Sequence, residues 1–375
     1  MLTEKLEQFL RARPNSPFLA LDLDVVETKY RELQMHFPQA AVHYAVKANP
    51  AQEVIARLAA LGSSFDIASR YELDLCLSLG ISAEHLSYGN TIKKSADIAH
   101  AFAMGVRLFA FDSEVELEKL ARHAPGSRVI CRVLTSGKSA DWPLSRKFGC
   151  DPEMACELLL RSRDVGLKPA GVCFHVGSQQ TDPLQWETPL RETAVLYREL
   201  ALHGIQPDLV NIGGGFPAGY RGEIKPLSCY AAVIHQVLRD AFGDAPPQLM
   251  LEPGRSLVAD AGLIQTEVVL IAQKSKRDPL RWVYLDVGKF GGLAETMDEC
   301  IKYRLRTSSD GAVGPVVLAG PTCDSADILY EKALYELPLS LAVGDRVEIL
   351  SAGAYTSSYS SVGFNGFPPL RSYCL

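Results

Sequence analysis

The chain has 375 residues, and 38 Lys and Arg against 44 Asp and Glu leave a formal charge of 38 − 44 = −6. That balance excludes a polybasic nucleic-acid binder, and 47% hydrophobic with 22% charged residues excludes a disordered chain. The length suits one barrel-sized domain with a smaller companion. The opening residues MLTEKLEQFLRARPNSPFLA place charges inside every short apolar run, so no export signal is predicted. Apolar stretches such as AGLIQTEVVLIAQ are broken well before the roughly 18 residues needed to cross a bilayer. A soluble, cytoplasmic protein with no membrane or nucleic-acid partner is expected. Nine cysteines without a Cys-x-x-Cys pair predict neither a zinc site nor a disulfide framework.

In chain order, PFLALDL (17–23) reads as a first strand. Beyond it, apolar β-prone runs at 41–46, 65–69, 86–90, 108–112, 128–134, 170–176, 209–213 and 248–252 alternate with helix-like stretches. QEVIARLAALG has helical spacing and stops on Gly62, and YELDLCLSLG stops on Gly80, as helix C-termini often do. Eight such units predict a closed (β/α)₈ barrel, an α/β fold, over residues 26–258. After residue 260, LIQTEVVLIAQ, RWVYLDV, PVVLAG and DRVEIL read as strands between Gly, Pro and Asp turns. An all-β C-terminal domain over 259–375 is expected, with residues 1–25 contributing their strand to it.

Chemistry in such a barrel sits at the C-terminal ends of its strands. Lys47, Asp66, Arg132, His175, Gly213-Gly214-Gly215 and Glu252, followed by Pro253-Gly254-Arg255, all fall there. The glycines let backbone N–H groups approach an anion, and Arg255 adds a fixed charge suited to phosphate. The plainer alternative is a tight turn with Arg255 paired to a surface carboxylate. Lys47 offers an amine for a Schiff base, or else an ordinary solvated charge. Glu252 suits a pyridine nitrogen, or else a salt bridge to Arg255. His175 is placed to stack on a ring, or else to be a hydrogen-bonded core histidine. Taken jointly, a lysine, a phosphate cradle and a carboxylate match the needs of pyridoxal 5'-phosphate (PLP).

HYAVKANP, FDIASRYE, LSRKFG, FHVGSQ, NIGGGFP, LEPGRSLV, AGPTCDSAD and GAYTSSYSSVGFNGF run in order from about residue 17 to the C-terminus. Together they resemble the fold-type III PLP-dependent decarboxylases of basic amino acids, nearest the ornithine-specific branch. The resemblance implies Lys47 as the Schiff-base lysine, Glu252 at the pyridine nitrogen and His175 stacked on the ring. It implies Ser178, Gly213, Gly214, Gly215, Gly254, Arg255 and Tyr355 around the phosphate, with Asp66, Glu72 and Arg132 lining the pocket. It also implies a homodimer with shared active sites, in which Cys323 and Asp324 reach into the partner's site. Without the other motifs, Cys323 would read as an inert turn residue. Lys147 and Asp327 resemble an intersubunit ion pair, the alternative being two solvated charges.

The implied reaction is decarboxylation of L-ornithine to putrescine in polyamine biosynthesis, with Cys323 as proton donor to Cα. Selectivity for a basic side chain requires a distal carboxylate. Asp324 and Tyr355 are expected on the substrate, and Asp298 of GKFGGLAETMDECIKY matches the family's specificity element, with neighbouring Glu299 as competitor. A dual lysine/ornithine activity stays open, because one methylene discriminates weakly. Diaminopimelate decarboxylase shares most motifs but usually reads Cys-Glu-Ser where this chain has Cys323-Asp324-Ser325. Alanine racemase sets an arginine against the pyridine nitrogen. A silent binder of the antizyme-inhibitor kind loses the PLP residues that are present here.

Overall fold

A computed structural model describes residues 2–12, 14–142 and 147–375. It divides into two compact units: Met1–Val26 with Ala218–Glu223 and Leu257–Leu375, and Glu27–Pro217 with Ile224–Ser256. The first strand, β1 (Phe18–Leu21), belongs to the former. The latter unit carries β2 (Ala41–Ala45), β3 (Ser64–Ile67), β4 (Leu86–Tyr88), β5 (Leu108–Phe111), β6 (Arg128–Arg132), β7 (Ala140–Trp142), β8 (Lys168–Cys173), β9 (Ser178–Gln180), β10 (Leu209–Asn211) and β11 (Gln248–Leu251).

Eight of these strands close a parallel barrel in the order β2-β3-β4-β5-β6-β8-β10-β11. They coincide with the eight apolar runs of the sequence, each ending within a few residues of its expected position. The helices Gln52–Ala60 and Arg70–Ser78 terminate as expected, with Gly62 at φ 88° and Gly80 at φ 80°. Ala110, Ile130, Ala170, Cys173, Leu209 and Met250 pack together inside the barrel. The short antiparallel pair β7–β9 was not legible in the sequence, and β9 is the strand that carries Ser178. Of the LSRKFG motif, residues 144–146 lie outside the described residues.

Closure demands one local irregularity. β8 slips register against β6 between Val129 and Ile130. On the other edge of β8, Tyr197, from the helix Glu187–Leu202, bridges to β10: its hydroxyl accepts the Val172 N–H at 3.0 Å and donates to the Leu209 carbonyl. A Cβ on Gly171 would stand 2.3 Å from that hydroxyl, so glycine is required beside it. Deeper in the barrel His43 is buried, with Nδ1 3.2 Å from the Ser87 hydroxyl. Burial pulls its pKa down to about 4, so the imidazole is neutral.

The other unit is a mixed sheet ordered β14-β17-β12-β13-β15-β16, with β1 pairing β12 antiparallel and β18 parallel. Its strands are β12 (Gly262–Ala272), β13 (Arg281–Leu285), β14 (Arg304–Thr307), β15 (Val313–Ala319), β16 (Ile328–Pro338), β17 (Arg346–Leu350) and β18 (Arg371–Cys374). The N-terminal strand therefore joins the β sheet, as expected. β14, β16 and β18 escaped the sequence reading because Arg304, Glu331, Lys332 and Arg371 sit on their exposed positions and break the apolar runs. Among the described residues, no helix is long and apolar enough to cross a membrane.

Two measurements test this account. Tyr197→Phe strands a buried N–H and a buried carbonyl, and should cost about 1–3 kcal/mol in denaturant unfolding. His43 has a folded pKa below its unfolded value, so its contribution is complete above pH 6.5 and is lost as pH falls toward about 4. Between pH 7 and pH 4.5 the wild type should lose about 2 kcal/mol more stability than His43→Gln.

Candidate active site

The barrel brings the strand-end residues of the sequence to one mouth. β2 ends at Ala45, and the following turn Val46–Ala48 presents Lys47, whose side chain is half exposed. Its ammonium lies 4.0 Å from Asp66 Oδ2 on the neighbouring strand β3. Asp66 is buried, and among the described residues its Oδ1 has no hydrogen-bond partner. Burial first, then repulsion from Glu252, raises its pKa well above the usual carboxylate range, and Lys47 offsets only part of this.

Glu72 follows the Ser69 cap of its helix and accepts the Ala68 N–H at 2.6 Å. Burial raises its pKa as well, against the pull of that N–H and of Lys47. Around this rim, Asn90 donates to the Ala68 carbonyl at 3.2 Å. Lys93, fully buried, donates to the carbonyls of Asn90 and Ala110 and pairs with Glu116 at 3.1 Å. Burial depresses the Lys93 pKa to about 8. In the sequence this lysine belonged to a polar TIKKS stretch that reads as solvated, so nothing there announced it.

On the opposite strands, Arg132 ends β6 and lies over the Phe148 ring at 5.1 Å. His175 accepts the Gly177 N–H on Nδ1 at 3.0 Å, which places its proton on Nε2. Burial, then Arg132 and Lys47, hold its pKa well below the ordinary histidine value, so the ring is neutral. Gly213 and Gly215 have φ of 67° and 93°, open to glycine without strain. A Cβ on Gly213, Gly214 or Gly215 would meet the backbone carbonyls of Phe174, Glu252 and Gly177 at 2.4, 2.4 and 2.6 Å. The three therefore pack directly between the His175 segment and the end of β11.

Arg255, only 3% exposed, follows the buried Gly254. Its Nε and Nη2 both lie 3.1 Å from the Ser178 hydroxyl. Glu252 receives the Asn211 amide on Oε1 at 2.5 Å, and Asn211 Oδ1 accepts the Gly213 N–H at 2.8 Å. Asn211 is wholly buried, and the sequence reading passed over it although it opens the NIGGGFP motif. PLP fits this set. The glycine backbone and a buried guanidinium suit a phosphate, while the orphaned Asp66 oxygen awaits a donor.

The remaining candidates, apart from Lys147, lie on the β unit. Cys323 is exposed, and its N–H donates to Asn365 Oδ1 at 3.0 Å. Asp324 Oδ1 accepts the Ala326 N–H at 2.8 Å. Asp327 is buried and bound by the Lys289 N–H and by the Thr322 N–H and hydroxyl, so it holds this loop together. Lys147 lies over the Phe148 ring at 4.9 Å. Tyr355, Asp298 and Glu299 all have positive φ, near 50–56°.

The two acids of the TMDE stretch differ sharply. Glu299 accepts the N–H groups of Glu331, Lys332 and Ala333 at 2.8, 2.7 and 2.6 Å. Burial alone would raise its pKa, but those donors outweigh it and hold the carboxyl below the usual glutamate range. Asp298 is exposed and, among the described residues, has no hydrogen-bond or ion-pair partner.

Residues 23–259 match the pyridoxal-dependent decarboxylase family, pyridoxal binding domain. The chain is 34% identical to the lysine/ornithine decarboxylase of Selenomonas ruminantium, over 98% of this chain and 91% of that protein. It is 30% identical to the ornithine decarboxylase of Mus musculus, over 98% and 82% of the two chains. The solved lysine/ornithine decarboxylase of Vibrio vulnificus complexed with cadaverine superposes with a TM-score of 0.89 at 32% identity, over 100% of both chains. A closed parallel barrel with these residues at its mouth, and matches spanning nearly the whole length, identify the chain as a member of the fold-type III, PLP-dependent family of basic amino acid decarboxylases.

Proposed function

We propose that the chain decarboxylates L-ornithine to putrescine, as a cytoplasmic homodimer serving polyamine biosynthesis. Bound PLP supplies an aldehyde for the substrate amine and a ring that takes up the electrons released as carbon dioxide leaves. Lys47 is the amine that holds the cofactor between turnovers. Gly213, Gly214, Gly215, Gly254, Arg255, Ser178 and Tyr355 hold its phosphate, and Glu252 keeps a proton on its ring nitrogen. Neutral His175 offers a flat face to the ring without adding charge. Asp66, Glu72 and Arg132 line the pocket, with Asp66 Oδ2 4.0 Å from the Lys47 ammonium.

Cys323 and Asp324 act in the partner's site, where the exposed thiol delivers a proton to Cα of the product. A basic side chain needs a carboxylate not already committed elsewhere. Asp298 meets that condition and Glu299 does not, its oxygens being taken by three N–H groups of β16. This difference is the single observation that carries the choice of a basic substrate. Asp327 is buried and its oxygens are taken within its own loop, so the ion pair with Lys147 that the resemblance implies is not part of this proposal.

A second reading, dual use of L-lysine and L-ornithine, is favoured by the similarity to the lysine/ornithine decarboxylase of Selenomonas ruminantium. One methylene separates the two substrates and is worth only about 1–3 kcal/mol in a pocket.

Carbon dioxide release from ornithine, lysine, arginine and diaminopimelate by one purified sample tests the substrate. Ornithine should turn over fastest, with lysine next and Asp298→Ala weakening both through KM. Greatest turnover with diaminopimelate or arginine would overturn the assignment. In Cys323→Ala, the yellow absorbance of lysine-bound PLP should persist while diamine formation falls about a hundredfold or more. Wild-type putrescine yield in that variant would remove Cys323 from proton delivery.

A further inference from the structure

Asn211 lies at the last position of β10, wholly buried, between the two ends of the cofactor site. Its backbone is fully engaged in the barrel: Val210 and Asn211 are in register with Leu249 and Met250 on one side and with Val172 and Cys173 on the other. The Asn211 carbonyl also accepts the Phe174 N–H at 3.0 Å, one residue before His175. The side chain therefore has little freedom to move independently of the strand.

Both ends of its amide are used. Oδ1 accepts the Gly213 N–H at 2.8 Å, and that contact fixes which end of the amide faces the glycines. Nδ2 is then turned to Glu252 Oε1 at 2.5 Å. Glu252 returns to the same loop through its own backbone, donating its N–H to the Gly213 carbonyl at 2.9 Å. Asn211, Gly213 and Glu252 thus form a closed hydrogen-bonded triangle, in which one side chain spans from the glycine turn to the carboxylate.

We infer that Asn211 is a positioning residue that sets both ends of the cofactor site with one amide, seating the first glycine of the phosphate cradle and aiming the carboxylate of Glu252. The inference rests on the proposed PLP chemistry, and it deepens that proposal by tying the phosphate cradle to the side chain of Glu252 through one residue. No other residue type of this size serves. Aspartate keeps the acceptor for Gly213 but sets an oxygen against Glu252 Oε1, so the two carboxylates repel or must share a proton. Leucine fills the volume and satisfies neither.

The two variants separate the two roles. Asn211→Asp should keep the PLP affinity of the wild type within a few-fold, measured by titrating apoprotein with PLP and following its fluorescence. Its bound-cofactor absorption spectrum should change, and kcat should fall about tenfold to a hundredfold, the range expected when one hydrogen bond to a charged group is lost. Asn211→Leu should additionally lose PLP affinity by about tenfold or more. Thermal unfolding of both apoproteins monitors folding. If Asn211→Leu fails to fold, Asn211→Ser, which retains a short hydroxyl but cannot reach both partners, takes its place with the same expectation.

A wild-type spectrum and kcat in Asn211→Asp would overturn the aiming role, and wild-type PLP affinity in a folded Asn211→Leu or Asn211→Ser would overturn the seating role. A wild-type protein that takes up no PLP would instead overturn the cofactor proposal, so the two failures are distinguishable.

Discussion

The pairing of β11 with β2 closes the barrel, and the site depends on that closure. Met250 and Leu251 lie in register with Ala41 and Val42, and the Ala45 N–H reaches on to the Pro253 carbonyl at 3.0 Å. The first and last strands of the barrel thereby become neighbours. Lys47 and Glu252, which stand at opposite ends of this part of the chain, come to adjacent strand ends. Parallel strands register all their C-terminal ends at one side, so every residue just past a strand faces the same mouth.

That mouth gathers several charged groups into a partly buried space. Asp66, Glu72 and Glu252 share it with Lys47 and Arg132, and the electrostatic response runs in both directions. Asp66 and Glu72 are pushed toward their protonated forms, and His175 is pushed toward neutrality. Burial is the leading cause at Asp66, at Glu72 and at His175, with the neighbouring charges adjusting the result. A site in this condition is poised for a ligand that brings its own donors and charge. The glycines at 213, 214 and 215 answer the opposite need, since a side chain there would collide with three backbone carbonyls.

The β unit uses backbone hydrogen bonds to assign work among its acids. Three consecutive N–H groups of β16 converge on Glu299, which therefore clamps the turn Ala294–Glu299 to that strand. Asp327 does the same for the loop that carries Cys323 and Asp324. Acids that hold backbone are poor candidates for reading a ligand, because freeing them would strand several donors at once. Neighbouring Asp298 carries no such obligation.

Eight barrel strands were legible in the amino-acid order because strands covered on both faces read as continuous apolar runs. Lys47, Glu252 and the glycine triplet were legible for a related reason, each following such a run at the point where a barrel does its chemistry. Edge strands β14, β16 and β18 were not, since their outward positions carry charge and interrupt the pattern. Nor was the difference in bonding between Asp298 and Glu299, two adjacent acids of nearly equal chemistry, since only the fold brings β16 against Glu299. Asn211 and Lys93 belong to the same class: a buried amide and a buried ammonium look like any polar residue in one dimension. Local pattern records which face of an element is apolar, whereas the partner of a buried polar group comes from strands distant in sequence, and only folding brings it within hydrogen-bond reach.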